Sequence, residues 1–193
     1  MIDKEKTPKG YPTHKHQADF WEHLGRTVAT FGYLEDALVK GIYVFEVMTK
    51  CDKKVKDLES FEKWYYDTLN SNLLKNMSLP FGKLVTKYHN LANNNSLINK
   101  DDVIKKQLKF LDDEVVKFRN MFCHAGWSDP DKEGKSLPIY LNNNGEYLKT
   151  PVGTEFLQQT QKHIAELICL VTEISTILDP EGRCLPSKPG IVE

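Results

Sequence analysis

A row of apolar residues at three- and four-residue steps is the strongest constraint on this chain. Phe20, Leu24, Val28, Phe31, Leu34, Leu38, Ile42, Phe45 and Met48 follow one another at helical spacing. A period near 3.6 places them on one face of a long amphipathic helix, about 19–49. Such a stripe must be covered by other elements, so the helix demands helical neighbours. Gly25, Gly32 and Gly41 lower its intrinsic propensity and offer places where a neighbour can approach closely.

Three further helices and a closing one emerge from the same reading. Val55, Leu58, Phe61, Trp64, Tyr65, Leu69 and Leu73 predict a second helix over about 54–75. Pro80 separates it from a third, about 80–93, because proline suits a first turn and breaks an interior. Asn93–Ser96 is polar and reads as a loop. Asp101 and Asp102 suit the N-terminus of a fourth helix, about 101–125, with Ile104, Leu108, Leu111, Val115, Phe118 and Phe122 inward. Gly126 is its expected stop. Thr154 is the expected N-cap of a last helix, about 154–178, which turns Phe156, Leu157, Thr160, Ile164, Leu167, Ile168, Val171 and Ile174 inward.

Residues 128–153 change character. Asp129–Gly134 reads as a loop, and Asn142–Gly145 as a hairpin turn between strands at Leu137–Leu141 and Glu146–Lys149. Two strands alone are marginal, so the hairpin must lean on helices. The expected fold is therefore all-α: an antiparallel bundle of about five helices with a small β-hairpin insertion before the last. The expected organisation is a flexible arm at 1–13, one helical domain at 14–179 carrying the 128–153 insertion, and a proline-containing tail at 180–193.

Composition excludes several function classes. With 26 basic and 27 acidic residues the formal net charge is -1. Bulk coating of nucleic acid is disfavoured, although gripping one phosphate needs only one or two cations. The charged N-terminus lacks a signal-peptide core, and no apolar run is long enough for a bilayer, so a cytoplasmic protein with no membrane partner is expected. Cys51, Cys123, Cys169 and Cys184 form no CxxC pair and read as buried free thiols. His14, His16 and His23 lack a completing ligand set and read as a surface accident, so neither metal nor cofactor is expected. Lys105, Lys106 and Lys109 read as a solvated face. Walker, GxGxxG, HExxH and GxSxG patterns are absent.

The stretch that carries chemistry is Lys117-Phe118-Arg119-Asn120-Met121-Phe122-Cys123-His124-Ala125-Gly126-Trp127. Arginine supplies a permanent forked cation suited to phosphate. Histidine exchanges protons near neutral pH. Together they suffice for metal-free RNA cleavage, in which the 2'-hydroxyl attacks the adjacent phosphorus. Asn120 and His124 share a helical face, but Arg119 and His124 lie roughly 140° apart around an ideal axis. A helix ending near Gly126, a swung arginine, or motifs pooled by two chains across a two-fold axis can each bring them together.

Arg119-Asn120 with His124 four residues beyond resembles the Arg-polar-x-x-x-His signature of HEPN domains, and Ala125-Gly126-Trp127 is similar to the ending of bacterial members. The order of elements over about 15–178 is similar too. The resemblance implies a bundle that often dimerises with both motifs in one cleft. It also implies a metal-independent endoribonuclease in a toxin–antitoxin or phage-defence setting. By carry-over Arg119 and His124 are catalytic, and Asn120 orients the histidine or the phosphate. Glu35, on the first helix, is the candidate acidic partner, with Lys117 and Trp127 as supporting residues. The implied partners are RNA or a nucleotide, a second copy of the chain and an antitoxin, with no role for DNA. Two other readings stay open. The motif can be a structural polar network in a non-catalytic dimerisation module, with Arg119 on Glu35 or Glu114. It can also serve a nucleotide sensor. Trp127 reads as packed against the bundle, and Lys117 as a surface charge.

Overall fold

The long apolar stripe forms α1, Ala18–Lys54, in a computed structural model that describes residues 15–54, 69–141, 149–180 and 182. A π-helical turn, Leu69–Leu73, runs into the short α2, Leu74–Met77. Then come α3, Phe81–Asn93, and α4, Asp102–Phe110. A second π-helical turn, Leu111–Val115, joins α4 to α5, Val116–His124. Two short strands, β1 (Gly126–Trp127) and β2 (Pro138–Ile139), precede α6, Thr154–Leu178. The fold is thus all-α, a helical bundle with a small antiparallel pair of strands before its last helix. The expected arm at 1–13 and most of the expected second helix lie outside the described residues, as does nearly all of the tail.

Capping follows the sequence at one helix and departs from it at two. Asp101 accepts hydrogen bonds from the backbone N–H groups of Val103 (2.8 Å) and Ile104 (3.1 Å), satisfying two donors that open α4. Pro80 is the N-cap of α3 rather than its first residue. Thr154 is the first residue of α6 and not its cap; the Gly153 carbonyl already accepts from Leu157 N–H at 3.1 Å.

The chain divides into two compact units. One holds Met1–Thr30 and Lys117–His163, the other Phe31–Val116 and Ile164–Glu193. In the second unit Leu34, Leu38 and Ile42 of α1 are fully buried, as are Leu84 and Tyr88 of α3 and Ile174 of α6. Each such aliphatic side chain contributes about 1.5–3 kcal/mol relative to exposure. Gly41 permits the closest approach: a Cβ there would stand 2.6 Å from Tyr88 Cε2 and 3.2 Å from Val171 Cγ1. Gly25 and Gly32 have open space instead, so close approach explains only one of the three glycines. Lys87 Nζ meets Glu46 Oε1 at 2.6 Å and donates to Asn76 Oδ1 at 2.8 Å, which ties α3 to α1 and α2 and pairs a buried amide.

In the first unit α1 meets α6 through a polar joint. Val28, expected inward, is exposed, and Thr27 occupies the buried place. Between Leu24 and Phe31 either an i+3 or an i+4 residue can face inward; the structure uses i+3. Threonine is tolerated there because its hydroxyl donates to the His23 carbonyl at 2.8 Å and accepts from Gln161 Nε2 at 3.1 Å.

The strands also differ from expectation. Pro138–Ile139 pairs backward with Gly126–Trp127, in the register Gly126 with Ile139 and Trp127 with Pro138. Residues 142–148, which hold the expected turn, lie outside the described residues. A single bridge joins Ser136 to Val152. The intervening loop is closed by Asp131, whose Oδ1 accepts from the N–H groups of Glu133 (2.8 Å) and Lys135 (2.9 Å). Gly134 supplies the φ of +77° that this turn requires.

Candidate functional site

The fourth predicted helix forms as one continuous course with a π-helical turn in it. That turn inserts a residue ahead of α5 and rotates the helix beyond it. Phe118 is half-buried, while Met121 and Phe122 face the core. Beneath the motif lies an aromatic shelf. Phe122 stacks near-parallel with Trp127 at 6.4 Å, Phe118 meets Phe156 edge-on at 6.2 Å, and Trp127 meets Phe20 edge-on at 5.2 Å. These rings hold α5 on one side and leave its other side to the polar residues. Trp127 is half-buried within that shelf.

The helix ends on His124, and the Ala125 N–H still bonds back to the Met121 carbonyl at 2.8 Å. The ideal-helix separation of Arg119 and His124 is overcome by the reach of the arginine. Its Nη1 donates to Asn120 Oδ1 at 3.3 Å and lies 3.4 Å from His124 Nε2. Guanidinium has no acceptor, so the imidazole nitrogen facing it is the one bearing a lone pair. That lone pair is engaged while the two groups face one another, so Nε2 takes up a proton only once the guanidinium turns to another acceptor. Asn120 thus accepts a hydrogen bond from the guanidinium. Arg119 and Asn120 are half-buried and His124 is exposed, so the pair meets where a substrate can reach it.

Among the other candidates, Lys117 is exposed on α5, one turn before Asn120 and two before His124, on their side of the helix. Glu35 is half-buried on the part of α1 that belongs to the second unit. Cys123 is half-buried and Cys169 exposed, which corrects the expectation of buried thiols for both. Cysteine inside an apolar pattern took the flank of the stripe in each case. No group of three potential metal ligands gathers among the described residues. No helix among them is long and apolar enough to cross a membrane. Lys105 pairs with Asp102 at 3.3 Å, and Lys106 and Lys109 are exposed, in keeping with a solvated face.

No protein-family model, curated protein or solved structure matches this chain. The site must therefore be read from its own chemistry. A hollow lined by Asp131, Lys132, Glu133, Lys135, Thr150 and Pro151 lies in the loop region after β1 and not at the motif. The residue that sequence reasoning missed is His16, which is built into this same unit through Ser136. Its partner is 120 residues away, so no local pattern announces it.

Proposed function

We propose that the chain is a metal-independent endoribonuclease of the HEPN type, acting on single-stranded or loop RNA. One observation carries the reading: a guanidinium and an exposed imidazole converge at 3.4 Å where α5 ends. As Arg119 turns from His124 to the phosphate, His124 Nε2 is released and removes the proton from a ribose 2'-hydroxyl. The 2'-oxygen attacks the adjacent phosphorus, the bond to the 5'-oxygen breaks, and the imidazolium or water returns a proton to that leaving oxygen. The products are a 2',3'-cyclic phosphate and a 5'-hydroxyl. Arg119 offsets charge on the non-bridging oxygens in the transition state, and Asn120 positions it. Lys117 steers a neighbouring phosphate. DNA lacks the attacking hydroxyl and is not a substrate.

With this reading go a homodimer that pools two motifs, an antitoxin partner and a toxin or phage-defence role. The balanced net charge of -1 fits a local grip on one phosphate and not the coating of long RNA. A panel of RNAs incubated with purified protein in EDTA tests it. Wild type should cut at least one, and the Arg119→Ala/His124→Ala variant none. Equal, negligible cleavage by both defeats the enzyme reading.

A second reading draws on the contacts within the motif, where Arg119 Nη1 donates to Asn120 Oδ1 at 3.3 Å and lies 3.4 Å from His124 Nε2. In it the Arg119–Asn120–His124 network is structural and the chain works as a non-catalytic dimerisation or partner-binding module; in a nucleotide sensor, by contrast, Arg119 holds a free phosphate. Thermal shift with a nucleotide panel separates the sensor, because only a nucleotide that binds the native state raises the melting temperature.

A further inference from the structure

Two residues just before α1 fasten both ends of the 129–136 loop in the first unit. Lys15 Nζ holds both carboxylate oxygens of Asp129 at 2.7 Å. His16 Nε2 lies 2.5 Å from Ser136 Oγ. Ser136 is 1% exposed, and its backbone makes both hydrogen bonds of the bridge to Val152, at 2.9 and 2.8 Å. The imidazole stacks on Phe20 at 4.8 Å and meets Trp21 edge-on at 5.0 Å. Its Nδ1 is buried and makes no hydrogen bond among the described residues. A neutral ring with a lone pair there loses little. An imidazolium there gives up hydration against the aromatic rings, a cost that the Ser128 carbonyl and the Asp129 carboxylate only partly offset.

We propose that His16 is a pH-released clasp: the neutral imidazole locks the loop between β1 and β2, and its protonation frees that loop. Burial pushes the His16 imidazole below the ordinary histidine range, outweighing the Ser128 carbonyl and the Asp129 carboxylate, which both favour the charged form. Those two come from the loop, and Lys15 is the charged neighbour on its own segment. The faces supplied by α1 are the aromatic Phe20 and Trp21, and Ser136 is neutral. A histidine with a lowered native value contributes stability above its unfolded value, and loses it as pH falls through the native one. The clasp is therefore closed at neutral pH and opens on acidification. Lys15 and Asp129 are 59% and 70% exposed, so their ion pair does little to hold the loop alone.

Amide hydrogen exchange on the full chain between pH 8 and 5, corrected for intrinsic exchange, tests the clasp. The reporters are the amides of Ser128, Ser136, Leu137 and Val152, all of them bonded within this loop. Their protection should fall together on acidification, along the same curve as the His16 ring protons in an NMR titration. The amides of α3 should keep theirs. In His16→Gln, which cannot titrate, protection of the four should not change with pH. A flat wild-type profile overturns the proposal, and so does an equal acid loss in His16→Gln. No RNA enters the experiment, so its outcome is independent of the ribonuclease reading.

Discussion

Replacing each α1 glycine by alanine should change stability in opposite directions along one helix. Alanine is favoured over glycine in a helix interior by about 1 kcal/mol. At Gly25 and Gly32 a Cβ meets nothing within 4 Å, so most of that gain should appear. At Gly41 the Cβ would stand 2.6 Å from Tyr88 Cε2, where carbons prefer roughly 3.5–4.0 Å. Tyr88 is 0% exposed and Val171 closes the other side at 3.2 Å, so the ring has nowhere to retreat. Overpacking of that kind costs about 1–3 kcal/mol, and the overlap puts this case in the upper half. The net for Gly41→Ala is a loss of about 1–2 kcal/mol. For a chain of 193 residues that is a fall of roughly 2–8 °C in melting temperature. Gly25→Ala and Gly32→Ala should each rise by a few degrees. Thermal melts followed by circular dichroism read all three. Trimming the ring with Tyr88→Leu should relieve the clash, giving a favourable coupling in the double-mutant cycle with Gly41→Ala. A Gly41→Ala protein that melts at or above wild type, or a cycle that is additive, refutes the argument.

Other residues give further expected outcomes. Asp101→Ala removes a cap that satisfies two amides; urea unfolding should register a loss of about 0.5–2 kcal/mol, with faster exchange at Val103 and Ile104. Lys87→Met leaves Glu46 and the buried Asn76 without their cation, and should cost about 1–3 kcal/mol in the same assay. Lys87→Arg should recover part of it. On the proposed reaction, His124→Ala should slow cleavage by about 10²–10⁴-fold. Arg119→Lys keeps a charge but not the fork, and should retain more activity than Arg119→Ala. Asn120→Ala should do less harm than either, since it only holds the guanidinium. Matching rates for all four proteins would remove the motif from the chemistry.

What the sequence disclosed depended on how far each signal extended. The α1 stripe persists over many turns, so its helix was plain, yet a choice between neighbours three and four residues apart turned on the Thr27–Gln161 bond, which no local pattern encodes. Strands of two residues carry no period, so Pro138–Ile139 was legible as extended but not as the partner of Gly126–Trp127. The π-helical turn at Leu111–Val115 has no residue type of its own to announce it, and the stripe through Leu108, Leu111, Val115 and Phe122 stays buried across it. In the motif, residue identity was available at once. What spacing could not supply was the path of a long flexible arginine, which closes a separation of roughly 140° around the axis. The clasp at His16 joins segments 120 residues apart and was read as an accident for that reason.

The most direct measurement is the chemistry of the cut ends on a single-stranded RNA, in EDTA, alongside the same strand bearing one 2'-deoxyribose before the scissile phosphate. The account predicts 2',3'-cyclic phosphate and 5'-hydroxyl termini from the all-ribose strand, with that cut absent from the deoxy-substituted strand and from reactions with His124→Ala. Termini carrying 5'-phosphate, or scission indifferent to the missing hydroxyl, would contradict it.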